Sequence, residues 1–290
     1  MNELSLFSPA KINLFLHLTG RRDDGYHNLQ SVFRALDFGD TLTFRRSSSS
    51  RLVTLIGADG LTDTPDDNLI VKAVHALAQR FPAYQSSVQV ILDKQIPTGA
   101  GLGGGSGNCA MTLIAINELW GLRLGVKELI AIAATLGADV PFFVFAHLNQ
   151  SDAIVGGIGE ELSAIELPKR EYLLLLPDEH SSTAECFANL APNTKMAKIV
   201  DIASQQDGFL DRLSAPFCNV FESLVVSSSP KVANALAYLQ TLAPITKTDA
   251  RMTGTGSAVF LPIVYGLTQA DRHAFVQQAP CRARLVGSLY

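Results

Sequence analysis

Between residues 97 and 108 the chain reads PTGAGLGGGSGN, with six glycines from Gly99 to Gly107. Glycine reaches φ > 0 without a Cβ clash and leaves no side chain in the way, so successive backbone N–H groups can converge on one anion. A helical pattern follows at residues 109–120, and its unpaired N–H groups and positive dipole end would complete a phosphate site. The plain alternative is a flexible packing loop; the order strand, loop, helix favours phosphate. Two charged residues stand out beside this segment. Lys11 interrupts an alternating apolar strand (Ile12, Leu14, Leu16), where its plain alternative is an exposed edge lysine. Asp139 lies in the most apolar stretch, residues 130–146, where a carboxylate needs a site or a cap to compensate it. The capping alternative is the turn at Val140-Pro141.

Other phosphate loops fit poorly. Gly99, Gly101 and Gly104 satisfy GxGxxG, but a dinucleotide fold places its first glycine directly after the strand, and here residues 94–98 intervene. No GK[ST] closes the loop as a Walker A sequence would. Asp37-Phe38-Gly39 spells a protein-kinase DFG, yet it precedes the glycine loop with no HRD between them, so a chance strand-to-turn sequence is expected there. A second glycine-rich turn, RMTGTGSAVF at residues 251–260, is either a tight hairpin or a ligand-closing loop. Cys109, Cys186, Cys218 and Cys281 lie far apart without CxxC, which predicts free thiols in a reducing cytoplasm. His17, His75, His147, His180 and His273 have no metal spacing and are expected at the surface or in the core; no protein metal site is expected.

These residues need elements to hold them. Strands are expected at 12–18, 41–44, 52–56 and 88–92, with a hairpin loop at Ser47 to Ser50. A helix is expected after Asn68 as N-cap (Leu69, Ile70, Val71, Val74, Leu77, Ala78), and another over 126–136, stopping at Gly137 as C-cap. Residues 147–170 are polar and glycine-rich, and a new strand begins at Leu173. A length of 290 residues suggests two ordinary domains of about 150 residues each or one large one, and a two-domain boundary is placed near Glu166. Charged residues make up only 17% and the net charge is −4, so no broad basic face exists for nucleic acid. The mean hydropathy of +0.20 raises the question of a membrane span. Gly137, Asp139 and Pro141 break the only candidate stretch, and the first residues show no signal-peptide pattern.

Four segments together carry a resemblance: SPAKINLFLHLTGRRDDGYH (8–27), IPTGAGLGGGSGNCA (96–110), LGADVPFFV (136–144) and RMTGTGSAVF (251–260). They resemble the signature segments of the GHMP kinases, the superfamily of galactokinase, homoserine kinase and mevalonate kinase. PAKINL with GYH and LGADVP points to the branch whose alcohol is a cytidylyl-linked methylerythritol. The resemblance implies an α+β, two-domain GHMP kinase fold. Its N-terminal ATP domain (1–165) would be like ribosomal protein S5, and its C-terminal substrate-side domain (166–290) a ferredoxin-like α/β sandwich. It implies Lys11 and Asp139 as the catalytic pair, with the lysine facing both the substrate hydroxyl and the aspartate.

ATP would lie along Pro97, Thr98, Gly99, Ala100, Gly101, Leu102, Gly103, Gly104, Gly105, Ser106 and Gly107, with Asn68 near the nucleotide. Mg²⁺ would accompany it, held mostly by phosphate and water, with Ser106 as a protein hydroxyl. Where the family commonly has GGGSSNAA this chain has GGGSGNCA, so Gly107 lacks a hydroxyl that could touch phosphate or metal. Asn13, Tyr26, His27, Thr183, Phe187, Gly254, Thr255 and Gly256 would bind the substrate. Tyr26 and Phe187 would sandwich the cytosine, His27 would meet its edge and Thr183 its polar tail. Two alternatives differ in class: another GHMP activity, on homoserine or mevalonate, and a non-catalytic nucleotide- or RNA-binding module.

Overall fold

The alternating apolar residues at the start of the chain form two long strands, β1 (Glu3–Arg21) and β2 (His27–Arg46). The computed structural model describes residues 3–191, 194–263 and 266–290. The chain divides into two compact units. The first holds the residues up to Ala10, Phe38–Thr98 and Gly103–Ser151; the second holds Lys11–Asp37, Gly99–Leu102 and Asp152–Tyr290. β1 and β2 thus contribute one stretch to each unit.

In the first unit, β3 (Val53–Ile56), α1 (Leu69–Arg80) and β4 (Val88–Asp93) follow β2. β4 pairs antiparallel with residues 41–46 of β2 and parallel with β3. Because β4 lies between β2 and β3, Ser47 to Ser50 do not close the expected hairpin. α1 begins where expected: the Asn68 Oδ1 accepts the Ile70 N–H at 3.0 Å, and Ile70, Val71, Val74 and Leu77 are buried along one stripe.

Three further helices follow, α2 (Gly104–Trp120), α3 (Val126–Ala134) and α4 (Val140–Asn149). α2 is buried on most of its circumference because it packs against both α1 and α4. α3 ends at Ala134 with Thr135 as its cap, two residues short of the expected end. Gly137 is not a left-handed cap; its N–H still reaches the Ala133 carbonyl at 3.3 Å. Pro141 sits in the first turn of α4, where its missing N–H costs nothing.

The second unit takes up the polar segment after α4. It contains a hairpin, β5 (Asp152–Gly156) and β6 (Glu161–Ile165), with β5 paired antiparallel to residues 31–33 of β2. β6 is mostly exposed, which is why no apolar alternation announced it. Then come β7 (Glu171–Leu176), α5 (Thr183–Ala188), α6 (Glu222–Ser228), α7 (Pro230–Thr246), β8 (Arg251–Met252), β9 (Val259–Ile263), α8 (Gln269–Gln277) and β10 (Arg282–Gly287). The strands form an antiparallel sheet in the order β10-β7-β9-β8. Leu173, Leu175, Val259 and Leu261 of this sheet share one core with Leu236 and Leu239 of α7 and Phe275 of α8. Each such buried side chain stabilises by about 1.5–3 kcal/mol. Helices set beside antiparallel strands make the chain α+β. Among the described residues no helix is long and apolar enough to cross a membrane.

Candidate active site

In the first unit the glycine run is more helical than expected. α2 begins at Gly104, five residues before Cys109, with Gly103 as N-cap at φ 70°. Glycine costs about 1 kcal/mol in a helix relative to alanine, and the long buried run after it overrides that cost. The first N–H groups of α2, from Gly104 to Ser106, have no acceptor within the helix. The dipole end therefore sits at Gly104. Gly107 lies inside the helix with its Cα toward β1: a Cβ there would be 2.7 Å from Ser8 Oγ and 3.2 Å from the Pro9 carbonyl. A side chain at 107 would thus meet β1.

The entry to this loop is fixed by a residue that sequence reasoning missed. Asp40, fully buried, accepts the backbone N–H groups of Gln95 at 2.7 Å and Ile96 at 2.8 Å. It also accepts Asn108 Nδ2 at 2.9 Å and pairs with Lys94 Nζ at 2.9 Å. Asp40 therefore ties both β4 and α2 to β2 just before Pro97 and Thr98. The only signal was a carboxylate in the alternating run FGDTLTF. The neighbouring Asp37-Phe38-Gly39 lies inside β2 rather than at a turn.

Asn68 caps α1, and its neighbour Leu69 comes within 3.8 Å of where a Cβ on Gly105 would stand, so the capped end of α1 lies against the start of α2. Asp139 precedes α4, half-buried, with helical backbone (φ −88°, ψ −13°) and no side-chain bond to the helix end. The capping alternative for Asp139 is thereby removed. Ser106 is half-buried in the first turn of α2. Among the described residues no group of three or more His, Cys, Asp or Glu could hold a metal ion.

In the second unit Lys11 is 3% exposed, which overturns the edge-lysine alternative. Its N–H donates to the Leu102 carbonyl at 2.9 Å. Its ammonium donates to Asn13 Oδ1 at 2.7 Å and lies 4.6 Å from the centre of the Phe33 ring. A buried ammonium survives only with such partners. The segment Gly99–Leu102 is tied to the 253–258 loop: the Ala258 N–H donates to the Ala100 carbonyl at 3.1 Å. Gly101, at φ 72°, faces the Thr253 and Gly256 carbonyls so closely that a Cβ would be 2.6 and 2.8 Å from them. His180, expected at the surface or in the core without a role, lays its ring over Gly99.

The substrate-side residues fall into two groups in this unit. Thr183 and Thr255 share a hydroxyl hydrogen bond of 3.1 Å, and Gly254 and Gly256 flank Thr255 in the loop. The Ser181 hydroxyl donates to the Thr255 carbonyl. His27 and Phe187 come together with ring centres 5.4 Å apart and planes 30° from parallel, and Phe187 meets Phe221 edge-on. Tyr26 is 62% exposed at the end of a turn held by the Asp24 carboxylate, which accepts its N–H at 3.1 Å. Phe187 thus has the His27 and Phe221 rings beside it.

Arg251 fixes the base of the 253–256 loop. It is 1% exposed and donates to the carbonyls of Leu14, Leu210 and Asp211 at 3.0, 3.3 and 3.1 Å. Burial pulls it down to about 10, which leaves it a cation at neutral pH. The next residue donates its N–H to the Glu222 carboxylate at 2.7 Å.

The family described as GHMP kinases N terminal domain matches residues 68–147, the span from the α1 cap through α4. A protein of Psychrobacter arcticus named 4-diphosphocytidyl-2-C-methyl-D-erythritol kinase is 44% identical over 99% of this chain and 97% of its own. A crystal structure of 4-(cytidine 5'-diphospho)-2C-methyl-D-erythritol kinase superposes with a TM-score of 0.77 at 28% identity over 98% of each chain. Homoserine kinase from Cytophaga hutchinsonii shares the fold, with a TM-score of 0.66 at 16% identity over 99% and 95%. On these grounds the chain belongs to the GHMP kinases and, within them, to the 4-diphosphocytidyl-2-C-methyl-D-erythritol kinase family.

Proposed function

We propose that this chain transfers the γ-phosphoryl group of ATP to the 2-hydroxyl of 4-diphosphocytidyl-2-C-methyl-D-erythritol, a reaction of non-mevalonate isoprenoid precursor synthesis. The observation that carries this reading is the 44% identity to the Psychrobacter kinase over nearly the whole of both chains. Residues 1–165 would form the ATP-binding half and 166–290 the substrate-side half. The acidic balance supports a small-molecule substrate over nucleic acid. The free Cys109, Cys186, Cys218 and Cys281 support a cytoplasmic setting.

ATP lies along residues 97–107 in this reading. Its phosphates take the first N–H groups of α2, and Asn68 stands near the nucleotide. The donors there fit a Mg²⁺ ion held largely by phosphate and water, with Ser106 as the protein hydroxyl; bound Mg²⁺ supplies charge neutralisation on the phosphates. Phosphoryl transfer passes through a loose transition state in most analyses, so positioning and charge stabilisation outweigh proton removal. A carboxylate is a far weaker base than the alkoxide it would have to generate, so early removal of an alcohol's proton by it is unfavourable. Asp139 therefore orients the hydroxyl and takes its proton late, while the Lys11 ammonium stabilises charge on the phosphoryl group. Tyr26, His27 and Phe187 hold the cytosine, and Asn13, Thr183, Gly254, Thr255 and Gly256 hold the polar remainder. The test is kcat on the cytidylyl substrate for Lys11→Ala and Asp139→Asn. Both are expected to fall at least a hundredfold, as expected where removal of one preorganised charge-stabilising group costs 10²–10³ in kcat; near wild-type kcat in both refutes the assignment.

A further inference from the structure

Lys11, Asn13, Ser31 and Thr253 are 3%, 2%, 0% and 0% exposed, so the polar atoms among them that no substrate meets must be satisfied within the protein. The two ends of the Asn13 amide are nearly isosteric. A flipped amide would aim an NH₂ at the Lys11 ammonium, donor against donor. Two hydroxyls prevent this. Ser31 spends its hydrogen on the Phe15 carbonyl, so its oxygen can only accept, and it takes Asn13 Nδ2 at 3.2 Å. Thr253 Oγ1 already accepts the Asn13 backbone N–H at 2.9 Å, which leaves its hydrogen to donate to Asn13 Oδ1 at 3.2 Å. With Lys11 Nζ at 2.7 Å, that oxygen has both lone pairs filled.

We infer that Ser31 and Thr253 are positioning residues that lock the Asn13 amide with its oxygen toward the Lys11 ammonium, and so hold Lys11 for phosphoryl transfer. The inference rests on the role proposed above for Lys11. It also gives Thr253 a second duty, because its own carbonyl faces Gly101: the 253–256 loop and the lysine are set by one residue.

The test is a double-mutant cycle between Thr253→Val, which replaces the hydroxyl with a methyl of similar size, and Lys11→Ala, read by single-turnover phosphoryl transfer. Thr253→Val alone is expected to lower the transfer rate roughly tenfold, the scale of one buried hydrogen bond, with KM for ATP changed less than twofold. Thr253→Ser keeps the hydroxyl and is expected to recover most of the rate. In the Lys11→Ala background the Thr253→Val cost is expected to shrink below twofold. A tenfold cost that persists without the lysine overturns the inference, because the hydroxyl would then act independently of Lys11; so does a Thr253→Ser rate as low as that of Thr253→Val. A Lys11→Ala rate equal to wild type instead overturns the role proposed for Lys11, and the inference with it. Should Thr253→Val not fold, the same cycle with Ser31→Ala, judged by the same outcomes, decides.

Discussion

Replacing Asp40 with asparagine separates its charge from its shape. Oδ1 of Asp40 accepts the Gln95 and Ile96 N–H groups, and an asparagine oxygen keeps both. Oδ2 faces Asn108 Nδ2 at 2.9 Å, and an NH₂ at that place would meet a donor. Asn108 can answer by turning its amide, because its Oδ1 is a buried atom with no partner among the described residues; one orphan replaces another at little net cost. The Lys94 ion pair at 2.9 Å is lost, although Nζ can keep its hydrogen bond to the Oδ1 position at 3.2 Å. Removing one partner of a fully buried pair costs about 3–5 kcal/mol. The Lys94 side chain is 19% exposed and can recover some hydration, so Asp40→Asn should cost about 2–3 kcal/mol. Asp40→Ala leaves four donors without this acceptor, Gln95 N–H, Ile96 N–H, Asn108 Nδ2 and Lys94 Nζ, at about 1–3 kcal/mol each and should cost at least about 5 kcal/mol. Urea unfolding at pH 7 measures both, and Lys94→Met completes a cycle whose coupling should be about 1–2 kcal/mol. Equal costs for the two Asp40 variants, or no coupling to Lys94, would refute the reasoning.

Three further outcomes are expected. Burial pushes the Asp152 carboxyl up to about 6 despite Arg34 Nε at 3.3 Å. The folded state thus holds this proton more tightly than the unfolded chain, so the contribution is complete below about pH 4 and lost as pH rises through 6. That loss is about 3 kcal/mol between pH 4 and 7, and Asp152→Asn should remove it from the pH dependence of unfolding; an unchanged profile refutes it. Gly107→Ser should not improve ATP affinity and should cost about 1–3 kcal/mol in urea unfolding, relieved by adding Ser8→Ala; a lower KM for ATP would contradict the packing described. Tyr26→Ala should leave stability within about 0.5 kcal/mol while raising KM for the cytidylyl substrate about five- to a hundredfold, the worth of one stacked base. An unchanged KM removes Tyr26 from the site.

Elements with strong local patterns were legible before any coordinates. Asn68 caps α1 as its side-chain chemistry demands, and β7 follows from an unbroken LLLL run. Where the outcome depended on partners distant in sequence, the pattern failed. Nothing in SSSS between β2 and β3 shows that β4 will insert between them, and β6 carries no apolar face because little covers it. The start of α2 at Gly104 is hidden in the sequence because glycine's low helix propensity is weak against burial of the helix behind it. Of the candidate site residues, Lys11 and Asp139 are conspicuous in the sequence because their residue types clash with their apolar surroundings. Asp40, Ser31 and Thr253 are not, because each matters through a hydrogen bond to a residue far along the chain, and single-sequence spacing carries no trace of that.

The central claim is tested most directly by ADP release, measured with ATP and Mg²⁺ alone and then with 4-diphosphocytidyl-2-C-methyl-D-erythritol, homoserine or mevalonate added. The account predicts a large rise with the cytidylyl substrate alone, one ADP formed per molecule phosphorylated at the 2-hydroxyl. Equal or greater release with homoserine or mevalonate, or none with any of the three, would contradict it.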